Sequence, residues 1–456
     1  MINTNLEYLQ SELIEVINLF SGEEQFNIRH RFTEGENKFV NTVTVNGKVF
    51  AYGNLVRGEV DDLEKKRLVK RYAKLSLYKA LSKYTGKDLP WGSLTGIRPT
   101  KLAYQQLDKS GEFESFFIDT MKVSEQKAEL IKDILNVQKG IYKKDDDNTD
   151  FFVFIPFCPS RCKYCSFICA DIKRSEKHVD AYIEALIDEI NYSKQFVKKL
   201  RSIYIGGGTP VSLSDEQLER VLSALDDINT GVEYTVEAGR PDCITESKLE
   251  ILKRHKVTRI CVNPQTFSDK TLELLGRNHT AKDVVDKFEI SKNDFIINMD
   301  LIAGLTGEKF EDFKYSIDKA IELSPDNITV HTLCIKKGSY LAETEDRLSG
   351  EEVSKMVDYA RERLMANGYK PYYLYRQKYM AGNLENVGYA KEGTACVYNV
   401  NVMEEISSTV ACGANAISKR VYNGGERIER SASPKDVITY LGKLEKIKQE
   451  KAKLFE

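Results

Sequence analysis

The chain has 456 residues, more than the roughly 250 to 300 residues at which a single hydrophobic core stops growing, so we expect two or three domains. Its 67 Lys and Arg residues and 69 Asp and Glu residues give a formal net charge of -2, which excludes a charge field over the whole chain that would attract nucleic acid or a membrane surface. The sequence has neither an apolar run of about 18 residues nor a signal-peptide pattern at its N-terminus. We therefore expect a cytoplasmic protein that has neither a membrane nor a nucleic acid as its partner.

The first 147 residues predict an N-terminal α+β domain. The segment FVNTVTVNGKVFAYG is typical of strands, and it precedes a predicted helix in which Leu68, Tyr72 and Leu75 share one face. Basic residues also crowd this helix, and we interpret them as a solvated face. The alternative, an RNA-modifying enzyme that uses the helix, is disfavoured by the near-neutral net charge. The polar segment KKDDDNTD over residues 143–150 marks the domain boundary.

Residues 148–350 predict a parallel sheet, because six strand-like segments alternate with helical patterns. These segments span residues 151–157, 202–205, 232–237, 257–262, 295–302 and 327–333. Polar residues and glycines fall at or near the C-terminal ends of the segments, where an α/β barrel builds its site. Since there are six units rather than eight, we predict an incomplete (β/α)6 barrel whose opening is covered by a C-terminal region, residues 351–456.

The segment IPFCPSRCKYCSFIC places Cys158, Cys162 and Cys165 in a C-x3-C-x2-C run, followed by Cys169. Three thiolates can bind three irons of a four-iron four-sulfur (4Fe-4S) cluster and leave the fourth iron open to a ligand. A structural zinc site with Cys169 as fourth ligand is the first alternative, but all four ligands would then come from one short loop. A catalytic thiol pair is a further alternative. The nine cysteines of the chain thus favour metal or redox chemistry over disulfides.

Further candidate site residues follow the cysteine run in chain order. The turn YIGGGTP, residues 204–210, has a bare backbone that can approach and hydrogen-bond a bound amino acid. Hydrogen-bonding or charged side chains fall near the later strand ends, at Glu237, Gln265, Arg277 and Asp300. Each alone is typical of a surface or capping residue. Together, at successive strand ends after a cysteine loop, they indicate a ligand site.

The cysteine run, with Tyr164 before its last cysteine, resembles the cluster loop of the radical S-adenosylmethionine (SAM) superfamily. The resemblance implies that Cys158, Cys162 and Cys165 bind a 4Fe-4S cluster. It also implies that SAM chelates the open iron and that one-electron reduction releases a 5'-deoxyadenosyl radical. The two expected cofactors are therefore a 4Fe-4S cluster and S-adenosyl-L-methionine.

Within that superfamily, the segments IPFCPSRCKYC, GGGTP, VEAGRPD, NPQTF, LGRNHT, DLIAGL and GANAIS together resemble the oxygen-independent coproporphyrinogen III dehydrogenase family. The resemblance is strongest to its Gram-positive branch, which has an extra N-terminal domain. It implies oxidative decarboxylation of coproporphyrinogen III to protoporphyrinogen IX, with a tetrapyrrole substrate and an unidentified one-electron donor and acceptor. It assigns cluster-bound SAM to Tyr164, Gly207 and Glu237. It assigns the wider SAM region to Gly208, Thr209, Gln265, Arg277, Asp300 and Ile417.

The chain departs from that family's pattern at three places. Phe167 stands where the dehydrogenases have a cysteine, Phe152-Val153-Phe154 replaces Tyr-Ile-His, and Asn415 replaces a small residue. The alternatives are a haem-binding or haem-trafficking protein of the same fold, and a relative that methylates or opens the haem macrocycle. A substrate with four propionates needs cationic anchors, for which the candidates are Arg376, Lys378, Lys419 and Arg420.

Overall fold

Among the described residues, most of the buried apolar side chains form two hydrophobic cores, a smaller one from residues 2–81 and a larger one from residues 91–447. The computed structural model describes all residues except 1, 22–24, 57, 59–60, 96–97, 168, 335–347 and 378–379. Lys378, one of the candidate anchors, therefore lies outside the described residues.

The smaller core lies between two helices and a four-stranded sheet with the order β1-β2-β3-β4. Its elements are β1 (Ile2–Thr4), α1 (Gln10–Ser21), β2 (Ile28–Gly35), β3 (Lys38–Val45), β4 (Lys48–Leu55) and α2 (Asp62–Thr85). In β3, alternate residues are buried because successive side chains point to opposite faces of a strand. Helix α2 begins where the Asp61 side chain accepts a hydrogen bond from the Glu64 amide, and it ends at Gly86, whose φ of 70° favours glycine.

Several basic residues of α2 contact acidic or aromatic side chains from other elements. Lys65 pairs with Glu34 at 2.6 Å and Lys70 pairs with Glu12 at 2.8 Å. The guanidinium of Arg71 lies 5.2 Å from the ring centre of Phe116. These contacts distribute the positive charge of the helix among local partners.

Eight strands come from the middle of the chain. They are β5 (Asn148–Ile155), β6 (Phe157–Cys158), β7 (Ala170–Asp171), β8 (Lys199–Gly207), β9 (Glu233–Val236), β10 (Arg259–Cys261), β11 (Ile296–Ala303) and β12 (Asn327–Thr332). The short β6 and β7 pair with each other on either side of the cysteine loop. The other six are parallel neighbours in the order β5-β8-β9-β10-β11-β12. The six predicted strands are thereby confirmed.

Five later strands extend this sheet at both edges. They are β13 (Lys370–Tyr375), β14 (Asn386–Ala390), β15 (Ser408–Cys412), β16 (Ile417–Tyr422) and β17 (Arg427–Ala432). Strand β14 pairs antiparallel with β12, whereas β15 pairs parallel with β5. Since β5 and β12 each pair with one of these additions, the six parallel strands do not close on each other. The incomplete (β/α)6 barrel is thus confirmed, and the C-terminal region contributes strands to its sheet.

Further helices pack around this sheet, and those between residues 176 and 323 connect successive parallel strands. They are α3 (Pro99–Ser110), α4 (Glu125–Gln138), α5 (Glu176–Ser193), α6 (Asp215–Ser223), α7 (Glu246–Arg254), α8 (Asp269–Leu274), α9 (Ala281–Ser291), α10 (Phe310–Leu323), α11 (Gly350–Ala366), α12 (Val397–Glu404), α13 (Val437–Leu441) and α14 (Leu444–Phe455). Reciprocal side-chain caps fix the starts of α6, α9 and α11. Within the described residues, no helix has the length and apolarity to cross a membrane.

The predicted domain limits at residues 147 and 350 stay a prediction. Helix α4 precedes the first limit but packs against β13, and its apolar residues belong to the larger core. The chain after the second limit supplies both edges of the barrel sheet.

Candidate active site

One cavity of about 480 Å³ opens at the C-terminal ends of the parallel strands. All of the predicted site residues except Ile417 line it: Cys158, Cys162, Cys165, Tyr164, Gly207, Gly208, Thr209, Glu237, Gln265, Arg277 and Asp300. The strand ends bring them together because parallel neighbours all end at the same edge of the sheet. A volume of this size is ordinary for a small-molecule or cofactor site.

The cysteine loop lies between β6 and β7 and is fixed mainly by backbone hydrogen bonds. The Cys165 amide donates to the Cys162 carbonyl at 3.0 Å, and the Lys163 amide donates to the Leu275 carbonyl at 3.0 Å. Among the described residues, no three His, Cys, Asp or Glu side chains are arranged to hold a single metal ion. A 4Fe-4S cluster places each thiolate on a separate iron, so its three sulfurs need not converge on one point.

The surroundings of Cys158 favour the thiolate form of its side chain. A hydrogen bond from the Cys169 thiol, followed by one from Thr209, lowers the pKa of Cys158 to about 7. The Thr209 hydroxyl lies 3.6 Å from the Cys158 sulfur. The same contact with Cys158 raises the pKa of Cys169, so Cys169 keeps its proton and serves as a donor. Because thiolates bind metals, Cys158 is prepared for ligation.

Two buried arginines approach the Cys162 sulfur. Arg240 Nη1 lies 3.7 Å and Arg277 Nη1 lies 3.9 Å from it. Arg277 also donates to the Tyr164 hydroxyl at 3.0 Å and to the Gly239 and Asn263 carbonyls at 2.8 Å each. These contacts connect the cysteine loop to the ends of β9 and β10.

Two carboxylates face the cavity in different environments. Burial and the nearby Asp300 raise the pKa of Glu237, which accepts a hydrogen bond from the Tyr204 hydroxyl. Burial also acts to raise the pKa of Asp300, but the neighbouring His331 and several hydrogen bonds outweigh it and hold that pKa below its usual range. Among the donors is Asn263, whose Nδ2 lies 2.9 Å from an Asp300 oxygen. Asp300 is therefore the carboxylate that these contacts favour as an anion.

Backbone conformation shapes two parts of the cavity wall. Gln265 has a φ of 66°, which is uncommon for a residue with a side chain, and its amide donates to the Asp300 carbonyl at 2.9 Å. Gly208 lies so close to the cysteine loop that a Cβ atom there would be 2.4 Å from the Phe157 carbonyl oxygen. The glycine therefore permits the close approach of β8 to the loop.

The structure does not bring the remaining candidates to the cavity. Ile417 begins β16 and is 52% exposed, at a place where the sheet extends away from the barrel. Arg376 is buried and donates to the carbonyls of Leu94, Asn383 and Leu384, so it satisfies backbone groups and is no anchor for a substrate. Lys419 and Arg420 lie on β16 with Ile417 and do not line the cavity.

Sequence reasoning missed several residues that the structure places at the site. Arg240 and Asn263 lie in the segments VEAGRPD and CVNPQTF, each only a few residues from a predicted site residue. Their proximity to Glu237 and Gln265 was the available signal. Tyr398 comes from α12, and its ring stacks on that of Tyr204 with centroids 4.3 Å apart. No local pattern could have placed a residue so distant in sequence in this wall.

The residues present fit a cluster with bound SAM. Three thiols line one face, the glycine turn leaves room where a Cβ would clash, and the buried Nε of Arg277 has no hydrogen-bond partner among the described residues. Polar donors and acceptors thus surround a space next to the thiols, as a zwitterionic amino-acid ligand requires.

Comparison with known proteins agrees with this site. The sequence profile of the radical SAM superfamily matches residues 152–320. The chain is 35% identical to the oxygen-independent coproporphyrinogen-III oxidase-like protein HemZ of Bacillus subtilis over 440 residues. This alignment covers 91% of this chain and 88% of HemZ. The chain is also 35% identical to the heme chaperone HemW of Lactococcus lactis over 235 residues, in an alignment that covers 49% of this chain and 60% of HemW. Among solved structures, coproporphyrinogen III oxidase (HemN) of Escherichia coli has the same fold, with a TM-score of 0.54 at 20% identity over 71% of this chain and 73% of HemN.

The fold and the site define a radical SAM protein. Proteins of this superfamily use a 4Fe-4S cluster and SAM, so both predicted cofactors are confirmed. Because the match to HemZ spans nearly the whole chain, the protein belongs to the oxygen-independent coproporphyrinogen III oxidase-like family. The predicted family is therefore correct.

Proposed function

We propose that this protein cleaves SAM reductively and uses the resulting radical to convert coproporphyrinogen III to protoporphyrinogen IX by oxidative decarboxylation. The observation that carries the proposal is the cavity that joins the three cysteines to the polar residues at the strand ends. The nearly full-length similarity to the oxidase-like HemZ supports the choice of a tetrapyrrole substrate.

The cofactors, when bound, supply a one-electron reduction and a carbon radical that removes a hydrogen atom from a propionate side chain. The protein would contribute binding, orientation and exclusion of water. Cys158, Cys162 and Cys165 would hold the cluster. Asp300 would accept hydrogen bonds from SAM as an anion, and the bare backbone at Gly207 would allow SAM to approach β8 closely.

The substrate would bind where the cavity opens to solvent. Its carboxylates need cationic or hydrogen-bonding partners because unpaired burial of a carboxylate is costly. Arg161 and His331 line the cavity, and Arg161 is exposed. We propose these two residues as propionate contacts in place of Arg376, Lys419 and Arg420.

The test is an anaerobic incubation of the reconstituted protein with reductant, SAM, coproporphyrinogen III and an electron acceptor, followed by mass spectrometry. The proposal expects protoporphyrinogen IX, with two carbon dioxides and two 5'-deoxyadenosines for each product, as the chemistry of the resembled family implies. A Cys165→Ala variant should form neither 5'-deoxyadenosine nor product. An intact cluster that cleaves SAM but yields no vinyl product would contradict the proposed reaction.

A second candidate function is haem binding without turnover. It is favoured by the similarity to HemW and by the aromatic wall of Phe152, Tyr204 and Tyr398, whose stacked rings could face a flat macrocycle. The same incubation distinguishes the candidates, because stoichiometric haem binding without a vinyl product supports this one. A methylated or opened macrocycle would instead indicate a haem-modifying relative.

A further inference from the structure

Arg240 is a buried cation that touches the cysteine loop and is held in place from behind. It follows β9 and is only 4% exposed. Its Nε and Nη2 atoms donate to the two carboxylate oxygens of Asp242, each at 2.8 Å. Its Nη1 atom donates to the Ser160 hydroxyl at 3.1 Å and approaches the Cys162 sulfur at 3.7 Å. Asp242 therefore fixes one edge of the guanidinium and directs the other edge toward a cluster ligand.

The three cluster cysteines differ in the donors that they receive. Cys162 has two cationic donors, because Arg277 Nη1 lies 3.9 Å from the same sulfur. Cys158 has neutral donors, the Thr209 hydroxyl and the Cys169 thiol. The two arginines thus contact the Cys162 sulfur directly, whereas they act on Cys158 only through longer-range charge. Of the two arginines, Arg277 is bound mainly to Tyr164 and to backbone carbonyls.

One-electron reduction adds a negative charge to the cluster and its thiolates. Hydrogen bonds to the sulfurs and nearby positive charge stabilise that added charge, and both raise the reduction potential of an iron-sulfur cluster. A buried cation acts more strongly than an exposed one because the surrounding dielectric is low. The position of Arg240 meets both conditions.

We propose that Arg240, held by Asp242, stabilises the one-electron-reduced form of the cluster through the Cys162 thiolate, so that a weaker electron donor can reduce it. Arg240 acts through a cluster ligand and is therefore a positioning residue, not a catalytic one. The proposal depends on the cluster and not on the identity of the substrate. It would stand even if no coproporphyrinogen were converted.

The test is a redox titration of the reconstituted cluster in the absence of SAM and substrate. Electron paramagnetic resonance monitors the reduced cluster during the titration. Arg240→Gln should lower the midpoint potential by about 60 mV, which corresponds to a roughly tenfold weaker electron affinity for a one-electron couple. Arg240→Lys should lower it less, because the charge remains while the planar fork is lost. Asp242→Asn should raise it, because a negative charge is removed and the guanidinium remains. The matched control is Arg254→Gln, which removes an exposed arginine that pairs with Glu219 and should leave the potential unchanged.

The opposite signs for Arg240 and Asp242 separate an electrostatic effect from simple disruption of the fold. An unchanged potential in Arg240→Gln, or shifts of the same sign in Arg240→Gln and Asp242→Asn, would overturn the proposal. If Arg240→Gln does not load iron, the other two variants test the proposal. The midpoint potential should rise in Asp242→Asn and fall in Arg240→Lys. SAM affinity is measured on the same samples: weaker SAM binding with an unchanged potential would make Arg240 a SAM contact and would also overturn the proposal.

Discussion

The replacement Glu308→Gln provides a quantitative test of the packing beneath the site. Glu308 is 3% exposed and accepts a hydrogen bond from the Thr266 hydroxyl, while its second oxygen has no partner among the described residues. The Ser316 hydroxyl lies 3.2 Å from the same Thr266 oxygen, and Gln265 comes just before Thr266 in the chain. Glu308 thus helps to connect the strand-end loop of Gln265 to α10.

The pH dependence follows from the burial of this carboxyl. Burial raises the pKa of Glu308 from 4.5 to about 7, despite the opposing hydrogen bond from Thr266. The folded protein therefore holds this proton more tightly than the unfolded chain. The corresponding stability is fully present below pH 4.5 and is lost as the pH rises through about 7. At about 1.4 kcal/mol for each pKa unit, the whole difference is roughly 3.5 kcal/mol, of which about 2.5 kcal/mol falls between pH 5 and pH 9.

Glutamine cannot ionise, so the Glu308→Gln variant does not lose this stability as the pH rises. The unfolding free energy of Glu308→Gln minus that of the wild type should increase by about 2.5 kcal/mol from pH 5 to pH 9. Any cost of the new amide that does not depend on pH cancels in this comparison. Urea unfolding monitored by tryptophan fluorescence measures this difference in unfolding free energy, because Trp91 is the only tryptophan and lies in the larger core. Glu311→Gln, at an exposed position three residues further along the chain, controls for the loss of a surface carboxylate. A difference that stays constant across this pH range would refute the reasoning.

Three further predictions concern the cofactors. Replacement of a cluster ligand by alanine, at Cys158, Cys162 or Cys165, should abolish the iron and sulfide content of the protein. It should also abolish the absorption that dithionite bleaches. Cys169→Ala should keep both, and loss of the cluster in that variant would mean that the ligand set is wrong. Glu237→Ala and Asp300→Ala should weaken SAM binding, measured by calorimetry, and leave the cluster spectrum intact, whereas unchanged affinity in both would place SAM elsewhere. Gly208→Ala should lower cluster content at least severalfold, because its Cβ would lie 2.4 Å from the Phe157 carbonyl; full iron loading would show that the loop can move aside.

The sequence predicts the barrel well because each parallel strand carries its own local signal. The segment FFVFIPF forms most of β5 and the start of β6, although β5 already begins at Asn148, within the polar segment that was expected to be a linker. Polar residues at or near the C-terminal ends of such strands are brought to one edge of the sheet, which is why Glu237 and Asp300 line one cavity although 63 positions separate them. The strands added at the sheet edges carry weaker signals. The residues of β17, RIERSA, are nowhere fully buried and read as a polar segment.

Charged residues are where the sequence-based reasoning fails most clearly. Arg376 has the same local appearance as a substrate anchor, but it donates to backbone carbonyls, among them that of the distant Leu94. Arg240 has the appearance of a turn residue, although it is buried against Cys162. A side chain with five donors can satisfy backbone, carboxylate or thiolate groups equally well. Only the tertiary arrangement determines which of these groups it meets.

The pairing of β5 with β15 has a consequence for how the protein is made. A ribosome that has released residues up to 332 has supplied all six parallel strands and the cysteine loop, but one edge of β5 still lacks its partner, which spans residues 408–412. The nascent chain thus exposes an unpaired strand edge directly before the cluster ligands, and such edges are prone to wrong pairing. Lys451 in α14 then bonds Glu189, which in turn accepts from the Gly413 amide just after β15. The edge of β5 and its neighbour β15 therefore gain all of these contacts only once the chain has been synthesised as far as residue 451.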